Sequence, residues 1–74
     1  MNSIAARKLK ERMILADVSV QDVCRAAKIS KPSFYRRMRG VSDFRQRDIA
    51  GIARLLKLTG DEVEDIFFSD EQNM

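Results

Sequence analysis

Apolar residues recur at helical spacing through nearly the whole chain, and this periodicity is the feature that most limits the available folds. The clearest set occupies positions i, i+3, i+4 and i+7 of one segment: Ile49, Ile52, Ala53 and Leu56. No stretch alternates apolar with polar residues for long enough to indicate a β-strand. With 74 residues the chain has room for one domain at most. We therefore expect a single all-α domain.

Helix-capping residues divide this domain into five predicted helices. They span about residues 3–16, 19–28, 31–39, 45–57 and 59–68, and residues 69–74 are expected to form a frayed polar tail. Ser19 with Asp22, and Thr59 with Glu62, have the spacing of a capping box at a helix start. In the first helix, the apolar face is expected to consist of Ala5, Leu9 and Met13.

The third and fourth predicted helices have distinctive boundary and interior residues. Ser30 can cap the third helix, and Pro32 fits its first turn, where a missing N–H removes no hydrogen bond. Gly40 suits a left-handed position directly after that helix. Gly51 lies inside the fourth helix at a cost in helix propensity, which predicts a close crossing with another helix.

Composition excludes several classes of function. The chain has no His, and Cys24 is its one Cys, so an internal disulfide and a His/Cys metal cluster are both excluded. Cys24 is expected to be a packing residue. We expect no enzyme activity and no cofactor, because no phosphate loop and no nucleophile–base pair can be assigned. No apolar run reaches the ~20 residues of a membrane span, and charges interrupt the first helix, so a cytoplasmic protein is expected.

The distribution of charge is more informative than the net charge of +3. Residues 1–40 carry ten basic and three acidic side chains, a balance of +7. Residues 41–74 carry four basic and eight acidic side chains, a balance of −4. The basic part of the chain therefore favours an anionic partner.

The third predicted helix carries its cations in a pattern that points to nucleic acid. On a helical wheel at about 100° per residue, Phe34 and Met38 define the core side and Arg36 lies opposite them. The other outward and border positions hold Pro32, Ser33, Arg39, Tyr35 and Arg37. Guanidinium groups on such a face can bridge guanine O6 and N7 in the major groove or bind phosphates.

Several short strings occur in an order that carries a family resemblance: Val18-Ser19, Val23-Cys24, Ile29-Ser30, Ser33-Phe34, Gly40, Ile49-Ala50-Gly51-Ile52-Ala53 and Leu58-Thr59-Gly60-Asp61-Glu62-Val63. Over about residues 5–68 the chain resembles the small helix-turn-helix DNA-binding domains of the lambdoid Cro and repressor family. Residues 29–38 look most like regulators from temperate phages of Gram-positive bacteria. The resemblance implies a compact five-helix, lambda-repressor-like fold with the helix-turn-helix at helices two and three.

Two positions depart from the family pattern. Val20 stands where the family commonly has a Gln that contacts phosphate, although backbone amides at that helix start could still bind one. Lys28 stands where Gly is common, which implies either a left-handed backbone or a different turn.

The resemblance also implies DNA-contacting roles for individual residues. The base-reading positions of the family correspond here to Lys31, Pro32 and Arg36. Pro32 has no N–H to donate, so its contact would be apolar, with a thymine methyl. Phosphate contacts are expected from Ser19, Gln21, Ser33, Tyr35, Arg37, Arg39, Arg45 and Arg47. For Tyr35 the alternative is that it covers the rim of the core.

These patterns favour a sequence-specific regulator that occupies a double-stranded DNA operator. Regulators of this kind bind palindromic sites as dimers, and the expected surface for a weak homodimer or a partner protein is Ile66, Phe67 and Phe68. Adjacent helical residues cannot face the same way, so one of the two Phe residues should belong to the core. The alternative function is a protein-interaction module that binds a repressor or polymerase subunit without reading DNA. Accessory roles in excision or replication would use the same DNA surface.

Overall fold

The computed structural model describes residues 3–68, and these residues form five α-helices joined by short loops. Their bounds are α1 Ser3–Ala16, α2 Val20–Ala27, α3 Lys31–Met38, α4 Gln46–Leu56 and α5 Gly60–Phe67. These residues contain no strand, which confirms the all-α prediction. None of the five helices is both long and apolar enough to cross a membrane. The frayed tail predicted for residues 69–74 and the core side chain predicted at Ala5 lie outside what the structure describes.

The predicted capping boxes form at the starts of α2 and α5. At α2, Ser19 Oγ accepts the Asp22 N–H and Asp22 Oδ2 accepts the Ser19 N–H, both at 3.1 Å. At α5, Thr59 Oγ1 accepts the Glu62 N–H at 3.1 Å, and Glu62 Oε1 accepts the Thr59 N–H at 2.8 Å. Each box gives partners to amides that the helix itself leaves without one. Both helix starts therefore agree with the prediction.

The connection between α2 and α3 is a short turn that begins with a left-handed lysine. Lys28 has φ 60° and ψ 45°, and its N–H donates to the Arg25 carbonyl at 3.3 Å. Of the two geometries open to this position, the chain adopts the left-handed one, which costs about 1–2 kcal/mol for a residue with a Cβ. Ser30 then caps α3 by accepting the Ser33 N–H at 3.2 Å. Gly40, at φ 83°, follows the end of α3 in the predicted left-handed conformation.

One hydrophobic core receives side chains from all five helices. Its buried members are Leu9, Met13, Val23, Cys24, Ala27, Phe34, Met38, Ile52 and Ile66. Cys24 is among them, so the prediction that it is a packing residue is confirmed. Burial raises the pKa of the Cys24 thiol, and the charge of Lys31 acts in the opposite direction.

Phe44, in the segment between α3 and α4, extends the core toward α5. Its ring lies edge-on to Phe34 with centroids 6.4 Å apart, and edge-on to Phe67 with centroids 5.4 Å apart. Such edge-to-face contacts add to the burial of the rings. Through Phe44, the loop after α3 therefore packs against both α3 and α5.

Ion pairs join the basic first helix to the acidic last one. Lys8 Nζ lies 2.7 Å from Asp65 Oδ1, and Arg12 pairs with Glu62. All four side chains are partly exposed, so each pair contributes little to stability. The two pairs also neutralise two of the cations of α1 within the domain, which leaves fewer free positive charges on this helix.

Candidate nucleic-acid interface

The outward face of α3 presents an exposed strip of cationic and aromatic side chains. Phe34 and Met38 are buried, which fixes the side of α3 that faces the core. The exposed residues of α3 and its C-cap are Lys31, Pro32, Tyr35, Arg36 and Arg39. This division agrees with the helical wheel, and of the two border residues Tyr35 is exposed whereas Arg37 is mostly buried. A helix with such a face can present guanidinium donors to the floor of a major groove.

Hydrogen bonds along α3 orient the predicted base-reading arginine. Ser30 Oγ and Ser33 Oγ lie 3.0 Å apart, and Arg36 Nη2 donates to Ser33 Oγ at 3.4 Å. Ser33 is therefore placed between the N-cap of α3 and Arg36, and it is itself only partly exposed. The Arg36 guanidinium is held along the outward face while its other N–H groups stay available for a ligand.

Arg37 is turned away from this face, and the expectation that it contacts phosphate does not fit its position. Its side chain is only 10% exposed, and its Nε lies 3.1 Å from Oδ2 of Asp48, which is 2% exposed. The Nε–H is not aligned for a hydrogen bond with an acceptor in the described chain, so the contact is an ion pair. A side chain that is nine-tenths buried and paired with a carboxylate offers little surface to a DNA backbone.

The start of α4 places two further predicted phosphate contacts at the surface. Arg45 is the N-cap of α4 and Arg47 lies in the first turn, and both are exposed. A guanidinium has no acceptor atom, so the Arg45 side chain cannot cap the first amides of the helix. Asp48 Oδ2 accepts the Arg45 N–H at 2.9 Å. The Arg45 amide is therefore already occupied, and the two exposed guanidinium groups are what this helix start offers to a phosphate.

The start of α2 is less suited to phosphate than the family resemblance implies. Val20 is partly buried and packs against the core, while Ser19 and Gln21 are exposed. The Ser19 hydroxyl already accepts the Asp22 N–H. The backbone N–H of Ser19, followed by its hydroxyl and the charge of Arg25, holds the pKa of the Asp22 carboxyl below its usual range. An anionic Asp22 at this helix start opposes the approach of a phosphate.

The arrangement of α2, the left-handed turn and α3 agrees with a match to a known family. Residues 4–66 match the family described as helix-turn-helix domain, and this span extends from α1 into the last turn of α5. The chain belongs to this helix-turn-helix family. No curated protein and no solved structure shows a significant match. Helix-turn-helix domains place the second helix of the motif in the major groove, so the family and the exposed cations of α3 together indicate a DNA-binding regulator.

One basic residue beside the helix-turn-helix motif is absent from the sequence-based predictions. Lys10 of α1 is exposed and lines a cleft of about 290 Å³ together with Tyr35 and Arg39. Its helical spacing could have indicated this position, because Lys10 lies one turn after Ala6 and one turn before Met13 on the same side of α1. Packing of α1 on α3 brings this cation to the edge of the basic face.

The C-terminal end of the helix-turn-helix domain separates the three residues predicted to form a partner surface. Ile66 is 2% exposed, so its assignment to that surface is wrong, because its side chain belongs to the core. Phe67 is partly buried against Phe44. Phe68 follows α5 and is 51% exposed. Of the two adjacent Phe residues, Phe67 is therefore the one that joins the core.

Proposed function

We propose that this chain is a sequence-specific regulator of the Cro and repressor type, of phage or prophage origin, that acts by occupying a double-stranded DNA operator. The observation that carries the proposal is the division of α3 into a buried side with Phe34 and Met38 and an exposed side with Arg36. The proposed action requires neither catalysis nor a cofactor, and its place is the cytoplasm, where operator DNA is accessible.

The proposed base-reading set consists of Lys31, Pro32 and Arg36. Arg36 is the strongest member, because its guanidinium can donate two parallel hydrogen bonds to guanine O6 and N7. Lys31, the first residue of α3, can donate to guanine in the same groove. Pro32 is exposed beside them and can contact a thymine methyl.

The proposed phosphate contacts surround this set on both sides. They are Ser19, Gln21, Ser33, Tyr35, Arg39, Arg45 and Arg47, together with Lys10 and without the nearly buried Arg37. Ser19 and Gln21 are the weakest of them, because the anionic Asp22 lies at the same helix start. Contacts of this kind set the register of a protein on the duplex and supply most of the salt dependence of binding. Arg39, Arg45 and Arg47 are the main contributors, because they are exposed cations and not neutral donors.

We further propose that the regulator binds a palindromic operator as a weak homodimer that contacts itself through Phe68. An aromatic side chain that is 51% exposed at the end of α5 is the apolar group that such a contact can bury. Sedimentation across a concentration range, with and without operator, tests this proposal. Phe68→Ser should weaken association, whereas Leu15→Ser, at a 76% exposed apolar residue of α1, should not. A strict monomer in both states contradicts the homodimer.

Selection of binding sites from random duplexes by the purified chain tests the proposed function. We expect enrichment of one motif with two related half-sites about one helical turn apart. Absence of enrichment, combined with duplex binding that disappears at moderate salt, contradicts operator recognition. That result would favour the protein-interaction module, whose partner contact would use Phe68.

A further inference from the structure

We infer that Arg37 and Asp48 act as a positioning pair that fixes the base-reading face of α3 relative to the phosphate-binding start of α4. The inference rests on the proposed function and deepens it. Both residues lie largely beneath the surface, since the Arg37 side chain is 10% exposed and that of Asp48 is 2% exposed. Both act through their neighbours.

The pair joins two helices that are separated along the chain by a seven-residue loop. Arg37 belongs to α3, and Asp48 is the third residue of α4. Asp48 Oδ2 lies 3.1 Å from Arg37 Nε and also accepts the Arg45 N–H at 2.9 Å. One carboxylate oxygen therefore contacts both the recognition helix and the N-cap of α4.

Stability alone does not account for a charged pair at this position. Burying two charges removes them from water, and apolar residues of similar volume often stabilise a core equally well or better. Arg37 also leaves its Nε without an aligned acceptor in the described chain. Moving the two helices apart would leave two buried charges uncompensated, so the ion pair opposes a change of spacing more strongly than an apolar contact does.

The neighbours of the pair show what this spacing controls. Arg36 of α3 and the C-cap Arg39 lie on either side of Arg37 along the chain, and both are exposed. Arg45 and Arg47 lie just before Asp48, and both are exposed as well. Base contacts in the groove and phosphate contacts on the backbone must match one DNA geometry at the same time. The buried pair holds the two sets of cations at one separation.

The test removes the charges while keeping the fold and the net charge. In Arg37→Met/Asp48→Asn, Met fills the space of the arginine stem, and the Asn carbonyl can still accept the Arg45 N–H. We expect the preference for the selected site over random duplex to fall by about tenfold or more, since one bidentate base contact contributes that much discrimination. Binding to random duplex should stay within about threefold, because the exposed cations are unchanged.

Two further variants keep the test decisive. Lys8→Met/Asp65→Asn removes one of the two ion pairs between α1 and α5, outside the proposed DNA contacts, and should leave the site preference unchanged. If Arg37→Met/Asp48→Asn does not fold, Asp48→Glu takes its place, because it retains the charge and the acceptor but moves the carboxylate by one methylene. Asp48→Glu should also lower the preference for the selected site.

The outcomes separate this inference from the proposed function. A wild-type chain with no preferred sequence contradicts the proposed function and, with it, the positioning role. A wild-type chain that selects a site, together with a folded Arg37→Met/Asp48→Asn or Asp48→Glu variant that keeps the full preference, overturns the positioning role alone.

Discussion

The backbone of Gly51 in α4 lies directly against the carbonyl group of Ala26 in α2. A Cβ added to Gly51 would lie 2.4 Å from the Ala26 carbonyl oxygen, closer than van der Waals contact permits. The obstructing atoms belong to a helix backbone, so no side-chain rotation can relieve the contact. Glycine therefore permits the close crossing of α4 behind the helix-turn-helix, as the sequence predicts.

Gly51→Ala should lower the free energy of unfolding, because α2 and α4 must move apart to admit the methyl group, at a steric cost of about 1–3 kcal/mol. This loss should exceed the gain of about 1 kcal/mol that alanine brings to a helix interior. Urea unfolding measures the difference. Gly60→Ala is the matched control, since a Cβ there has no described atom within 4 Å. Equal stability of Gly51→Ala and the wild type would contradict the close crossing.

Arg45→Ser should stabilise the domain and weaken DNA binding at the same time. Asp48 already accepts the Arg45 N–H, so a serine hydroxyl that accepts the Asp48 N–H completes a capping box. The free energy of unfolding should rise by about 0.5–1 kcal/mol. Loss of the exposed cation should reduce the slope of log K against log salt by about 1. Thermal unfolding and fluorescence anisotropy measure the two effects.

Arg47→Ser provides the control for this variant, because Arg47 lies inside the first turn of α4 and its replacement does not complete the box. It should weaken DNA binding to a similar extent without raising stability. An Arg45→Ser variant that binds all duplexes as tightly as the wild type would remove Arg45 from the phosphate contacts.

Asp22 should make the stability of the domain depend on pH. The Ser19 backbone N–H, then the Ser19 hydroxyl and the Arg25 charge, hold the folded pKa of Asp22 below its usual range. Its carboxylate therefore stabilises the fold above about pH 4, and this contribution is lost as the pH falls through the lowered pKa. In Asp22→Asn, which cannot ionise, the free energy of unfolding should vary less over this acidic range.

Urea unfolding at several pH values compares Asp22→Asn with the wild type. Asp43→Asn removes an exposed loop carboxylate and controls for the change of net charge. Parallel pH profiles for Asp22→Asn and the wild type would show that the capping box does not couple stability to protonation.

The helix boundaries could be predicted from the sequence because capping is a local interaction. Ser19 and Asp22 are three residues apart, and their hydrogen bonds depend on little beyond the helix start. The same holds for Thr59 with Glu62. The left-handed conformation of Gly40 could be predicted because glycine adopts positive φ without strain. Patterns of this kind need no knowledge of how the helices pack.

The burial of Arg37 and Ile66 could not be predicted in this way, because it depends on how the helices pack against one another. Arg37 lies at the border of the α3 wheel, where periodicity alone does not distinguish exposure from burial. Its partner Asp48 lies eleven residues along the chain in another helix, and only the tertiary fold brings them together. Ile66 lies on the core-facing side of α5 but only two positions before the exposed Phe68. The structure places its side chain in the core.

The central claim, that α3 reads DNA sequence through Arg36, is tested most directly by binding of Arg36→Ala and Arg39→Ala to the selected site and to random duplex. Arg36→Ala should cost about 1–3 kcal/mol on the selected site and relax the preference at one base pair. Arg39→Ala should weaken both duplexes alike and make the salt dependence shallower by about one unit of slope. An equal loss on every sequence for Arg36→Ala would contradict base reading by α3.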